Sequence, residues 1–152
     1  MIDDLERVVS DIGSLNSKLV LLADRPRSGK SALLGELSER MQVQVLNAGV
    51  ALGKDLLSHS RDRRNLKVSE LFKDRADTAS AHGVLLVDNI EILFDRTLCV
   101  STLDLLKSQS RVRRVVAVWP GEFRDDRLSY AVSGHPEHQD HSAEGVVIFK
   151  VS

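Results

Sequence analysis

Gly29-Lys30-Ser31 stands between an apolar run and a segment of helical periodicity. That triplet has the chemistry of a phosphate loop. Successive backbone amides turn inward onto phosphate oxygens, the lysine reaches the outer phosphates, and the hydroxyl binds Mg²⁺. The helix that follows adds unpaired N–H groups and the positive end of its dipole. The candidate nucleotide-binding segment runs through Asp24, Arg25, Pro26, Arg27, Ser28, Gly29, Lys30 and Ser31. Its last three residues fit the G-x-x-x-x-G-K-[ST] pattern, but Asp24 occupies the first glycine position. Asp24 either opens the loop or places an acid beside the phosphates. Read as plain structure, the same residues are a strand-to-helix turn with Ser31 as a cap.

A second carboxylate complements this loop. Val84-Leu85-Leu86-Val87-Asp88 is an apolar run that ends on an acid, 57 residues after Ser31. An acid so placed can hold Mg²⁺ beside the loop hydroxyl, so Ser31 and Asp88 form the candidate metal pair. The alternative is a helix N-cap after a core strand. Many P-loop ATPases carry Glu directly after this acid to polarise the attacking water; here the residue is Asn89, and Glu91 follows two positions on. Either Asn89 marks weak turnover and a binding switch, or Glu91 supplies the base.

Three further groups can do chemistry. Arg111, Arg113 and Arg114, or the arginines at 61–64, can serve as a finger that offsets charge developing on a γ-phosphate. As solvated residues, Arg111, Arg113 and Arg114 would simply complement a helix C-terminus. Arg61, Arg63, Arg64 and Lys67 against Asp62 give a local excess of three positive charges, which can contact a DNA backbone without reading sequence. His135, His138 and His141 repeat at intervals of three but lack a fourth strong ligand, and read as a polar surface loop. Cys99 lies in an apolar-leaning stretch and is expected to be buried. Trp119 ends an apolar run where no Asn or Thr offers a polar sensor.

These residues need elements to position them. Apolar runs at 18–23, 84–88, 114–119 and 146–150, with a weaker one at 42–47, predict five strands. Helical spacing appears at 3–13, 31–41, 50–58, 69–81 and 101–109, with Ser69 as the N-cap of the fourth. Strands alternating with helices predict an α/β fold, a parallel sheet with helices on both faces. The connection 121–145 is polar and expected to be loop-rich. The chain has 152 residues, which suits a single domain over 1–152. With 42% hydrophobic and 28% charged residues and a net charge of −1, it is neither disordered nor a general basic nucleic-acid coat protein. One cysteine excludes an internal disulfide. No run reaches a membrane span, and the acidic start Met1-Ile2-Asp3-Asp4 is unlike a signal peptide, so the expected location is the cytoplasm.

Several segments together resemble one family. Asp88-Asn89-Ile90-Glu91-Ile92-Leu93-Phe94 is followed by Leu103-Asp104-Leu105-Leu106, Ser110-Arg111 and Val115-Val116-Ala117-Val118-Trp119-Pro120-Gly121. Leu128-Ser129-Tyr130-Ala131 and Gly134-His135-Pro136-Glu137-His138 come last. The chain resembles, from the phosphate loop to the tail, the BrxF family of type III bacteriophage exclusion (BREX) systems. The resemblance implies a P-loop NTPase domain with an AAA+-like core, strand order 5-1-4-3-2 and no helical lid. It implies ATP and Mg²⁺ as ligands, with Lys30, Asp88, Glu91 and Arg111 as catalytic candidates; Arg111 leads the arginines because it falls in a shared segment. It also implies self-association and partnership with other BREX defence proteins. Two alternatives stay beside it: a non-catalytic, nucleotide-gated adaptor, and a small-molecule kinase, for which no basic lid segment is evident. No Asn-Lys-x-Asp guanine signature is present.

Overall fold

The structure, a computed structural model, describes residues 1–14, 18–24, 29–131 and 133–151. Five parallel strands form the main sheet: β1 (Leu19–Asp24), β2 (Val45–Asn47), β3 (Val84–Asp88), β4 (Arg114–Val118) and, last in the chain, β8 (Val147–Val151). Their spatial order is β2-β3-β4-β1-β8. With β8 as the fifth strand, this is the order 5-1-4-3-2 that the family resemblance implies.

Alternation along the strands divides the core. Leu19, Leu21, Leu85, Val87, Val115 and Ala117 point to one face. Val20, Leu22, Val84, Leu86, Val116 and Val118 point to the other. Both sets are buried, which is why the strands read as continuous apolar runs. Helices α1 (Ile2–Asp11) and α2 (Lys30–Met41) cover the second face through Leu5, Val9, Leu34 and Leu37. The first face carries α3 (Ala48–Leu57), α4 (Arg61–Ala79) and α5 (Thr102–Ser110). The chain runs from β1 outward to β2 and then back through β3 and β4. Crossovers of one hand therefore place α2 opposite α4 and α5.

Several expectations need correction. The basic stretch 61–67 is not a connection: it opens α4, a 19-residue helix. Val68, Phe72 and Ala76, four apart, give that helix a single buried stripe, and the charges take its other faces. Ser69 is therefore mid-helix, and Ser60 holds the N-cap position. The second strand shrinks to Val45–Asn47 because Gln42 turns left-handed (φ 56°) to end α2. Cys99 is exposed rather than buried, since it also turns left-handed after Leu98 has taken the inward position.

The largest departure is 121–145. Instead of loops, it forms an antiparallel sheet of β5 (Glu122–Arg124), β6 (Arg127–Tyr130) and β7 (Gln139–Ser142), in that order. Its buried anchor is Leu128, with Phe123 and Tyr130 partly buried against the main core. One or two inward residues per short strand are too faint a period to stand out in a polar segment.

Candidate nucleotide site

The carboxyl edge of the main sheet brings the predicted residues together. β1 ends at Asp24, and α2 begins at Lys30. Gly29 holds the N-cap with φ +84°, and among the described residues no atom lies within 4 Å of the Cβ it lacks. Its requirement is therefore backbone conformation, not space. Gly29, having no side chain, offers this helix start no cap of its own. Arg25, Pro26, Arg27 and Ser28 lie outside the described residues, as does the Asp24 side chain; the Asp24 backbone pairs with Val151. Ser31 is exposed at the first turn of α2.

Lys30 turns inward and is only 7% exposed. Its Nζ donates to the carbonyl of Trp119, 3.0 Å away. Trp119 directly follows β4, and β4 lies between β1 and β3. The lysine thus reaches across the carboxyl end of the central strand. Asp88 closes β3, the strand on the far side of β4, and is half-buried. One oxygen, Oδ1, accepts from the Asn89 amide at 2.7 Å. That bond fixes the carboxylate and leaves its second oxygen for a ligand. Asn89 is exposed and left-handed (φ 54°), a conformation that Asn tolerates better than most residues. The amide turn it makes starts a 3-10 segment, Ile90–Phe94, on which Glu91 is exposed.

Sequence reasoning missed two neighbours, Asn47 and Tyr130, and for Trp119 it offered packing near the nucleotide or plain core. Asn47 is the register partner of Asp88 and caps α3 by accepting from the Val50 amide at 3.0 Å. Tyr130 stacks on Phe94, with ring centroids 4.0 Å apart. Burial, helped by the charges of Glu137 and Glu91, holds its hydroxyl above the usual phenol range. Trp119 enters through its backbone carbonyl, which no side-chain pattern can announce.

The arginines separate. Arg113 is committed to the end of α4: it donates to Ala76 O at 3.0 Å and Ser80 Oγ at 2.7 Å, and pairs with Asp77 at 2.5 Å. That guanidinium holds the Asp77 carboxyl below its usual range, with Lys73 adding to the effect. Arg114 lies along Gly13, and its Nε is buried without a hydrogen-bond partner. Arg111 is exposed just after α5, before β4 begins. It stands at the amino edge of the sheet, a strand length of roughly 16 Å from the edge that bears Lys30. Within one chain it does not reach the phosphate loop.

In the basic stretch, Arg64 Nε donates to Leu56 O at 2.8 Å and His59 O at 3.1 Å, closing the C-terminus of α3. Lys67 approaches Glu70 at 3.7 Å, while Arg61 and Arg63 are exposed. The three histidines each have a local partner. His135 Nδ1 accepts from the Glu137 amide, His138 Nδ1 meets Ala131 O, and His141 Nε2 donates to Gln139 Oε1. Among the described residues, no group of three or more His, Cys, Asp or Glu side chains is placed to hold a metal ion. None of the described helices is long and apolar enough to cross a membrane.

A parallel sheet in this order, a glycine-led helix start after its first strand and an acid closing the strand two places away define the class. It is an α/β fold, a five-stranded parallel sheet with helices on both faces. Among solved structures, the chain is similar to the crystal structure of a DNA replication initiation factor, with a TM-score of 0.43 and 14% identity over 99% of this chain. The chain spans 44% of that protein's chain. No protein-family model and no curated protein matches the sequence.

Proposed function

We propose that the protein binds and hydrolyses ATP with Mg²⁺, in an assembly that serves bacteriophage defence of the BREX kind. The observation that carries the nucleotide reading is Lys30. A lysine is buried almost completely at the start of α2, and its ammonium is aimed across the strand end that separates the loop from Asp88. Burying a charge is costly, and this one is placed at the strand end where a phosphate would lie. The residues present fit a nucleotide and its metal. Lys30 and the amides at the start of α2 would hold phosphate, with Asp24 and residues 25–28 completing the loop. Ser31 and the unengaged oxygen of Asp88 would hold Mg²⁺, which when bound neutralises charge on the phosphates. Glu91, on the turn after Asp88, would accept the proton of the attacking water. Arg111 would act as a finger only toward a neighbouring copy, because its own phosphate loop lies at the opposite edge. Arg61 and Arg63 are the members of the basic stretch best exposed for DNA.

The first experiment is steady-state ATP hydrolysis with Mg²⁺ over a range of protein concentrations. The reading expects a specific rate that rises with concentration and vanishes in Lys30→Ala. Wild-type turnover by that variant would sink the site assignment. Asn89 favours a second reading, a nucleotide-gated adaptor, because an exposed amide replaces the expected acid. The adaptor would show nucleotide-dependent change in oligomer mass with no turnover.

A further inference from the structure

The Trp119 carbonyl that receives Lys30 belongs to the peptide joining Trp119 to Pro120, the first link of the strap into β5. On its other side Trp119 is tied to the small sheet, since its indole Nε1 donates to Ser129 O at 3.1 Å. Gly121 lies against the same carbonyl: a Cβ there would stand 1.7 Å from Ser129 O. The indole also meets Phe94 edge-on at 5.4 Å and His141 at 6.3 Å. Phe94 ends the 3-10 segment that starts next to Asp88, and it stacks on Tyr130 of β6. The small sheet is therefore in contact with both halves of the candidate site, through Lys30 on one side and the Asp88 turn on the other.

We propose that the three-stranded sheet is the responsive element of this site, and that Trp119 carries the signal. The inference rests on the nucleotide reading above. A phosphate at the loop offers the Lys30 ammonium a charged acceptor, which makes a stronger bond than the neutral Trp119 carbonyl and draws the lysine away from it. The Trp119–Pro120 peptide then loses a donor inside the protein. Its own N–H stays fixed to Leu22 O at 2.9 Å, so the strand end holds. The yielding part is the strap from Pro120 onward, and with it β5 and β6. Trp119 is a positioning residue in this scheme: it holds the lysine when phosphate is absent and releases the sheet when phosphate arrives.

The test uses the full chain and follows amide hydrogen exchange of residues 122–130, with ATP binding measured separately by equilibrium dialysis. Bound ATP with Mg²⁺ is expected to speed that exchange about tenfold or more, the scale of losing one hydrogen bond to a charged group. Lys30→Met without nucleotide is expected to speed it similarly, which a merely structural lysine elsewhere in α2 would not do. Trp119→Phe keeps the backbone carbonyl and removes the indole donor, so its nucleotide-induced change is expected to shrink. ATP that binds while exchange at 122–130 stays constant overturns the coupling and leaves the nucleotide reading intact. Failure of ATP to bind overturns both.

Discussion

The two sheets of this molecule are held by different physics. In the main sheet every residue from Leu19 to Ala23 and from Val84 to Val87 is buried, with helices on both faces. Each Val or Leu among them contributes about 1.5–3 kcal/mol of transfer free energy, so the sheet is held by area. In the small sheet Glu122, Arg124, Arg127, Asp140 and Ser142 are exposed, and only Leu128 is fully buried. Its attachment is a short set of directed contacts around Trp119, Phe94 and Tyr130. An element held by area resists change until the whole molecule unfolds. One held by a few contacts can open alone. The candidate site lies where the two sheets meet, so a rigid frame presents Asp88 and the start of α2 beside a part that can move.

The sharpest way to break this contrast is to truncate one leucine from each sheet. Leu85→Ala is expected to cost about 2–5 kcal/mol of global stability, read as a lower urea midpoint. Leu128→Ala removes a side chain just as buried. It is expected to raise amide exchange at 122–142 while moving the midpoint less. Equal midpoint shifts would make the two sheets one cooperative unit.

Gly121→Ala has a smaller expected effect. The new methyl group would collide with the Ser129 carbonyl and push β6 away from the strap. Overpacking of this kind costs about 1–3 kcal/mol. Near-ultraviolet circular dichroism should lose signal from Trp119, whose indole shares that carbonyl, while far-ultraviolet signal from the helices persists. An unchanged Trp119 signal would show that the strap relaxes without disturbing its anchor.

The same contrast explains what the sequence disclosed. The strands of the main sheet, buried on both faces, leave continuous apolar runs, so the strands and the places of Lys30, Ser31 and Asp88 at their ends were readable, while the strand order came only from the family resemblance. The small sheet buries one face lightly, and its alternation around Leu128 is lost among Glu122, Arg124, Asp125, Asp126 and Arg127. The start of α4 misled because its buried stripe begins only at Val68, two turns after the helix does. Arg64 was indistinguishable from Arg61 by composition, yet its guanidinium closes α3 through backbone carbonyls. Backbone acceptors carry no residue identity, and for that reason Trp119 O was invisible as well.

Two arginines two positions apart extend the comparison from sheets to edges. Arg113 bonds to Ala76, Asp77 and Ser80, and Arg113→Ala should lower the melting temperature by loosening the end of α4. Arg111 is exposed, and Arg111→Ala should leave the melting temperature within error, as surface changes usually do. If Arg111 serves a neighbouring copy, its loss should lower ATP turnover at high protein concentration. Turnover equal to wild type there would remove it as a finger.

The smallest expected effect is a pH dependence confined to the small sheet. His141 on β7 is half-buried edge-on to Trp119, and burial pushes its imidazole below the ordinary value of 6.5. Arg127 and Lys107 push the same way, while Asp104 and Asp140 oppose them. Above the ordinary value the ring is neutral in folded and unfolded chains, so stability does not depend on it. As pH falls below that value, the unfolded chain takes up a proton that the folded one resists, and stability declines until the folded ring also titrates. The depressed carboxyls of Asp77 and Asp95 titrate lower still, so they lose their contribution in a more acidic window. Exchange at 139–142, corrected for the intrinsic rate, should therefore quicken as pH falls below the ordinary imidazole value, before any change in β1 or β3. His141→Gln should flatten that response. A response of equal size in the main sheet would show that the proton destabilises the whole fold and not its movable part.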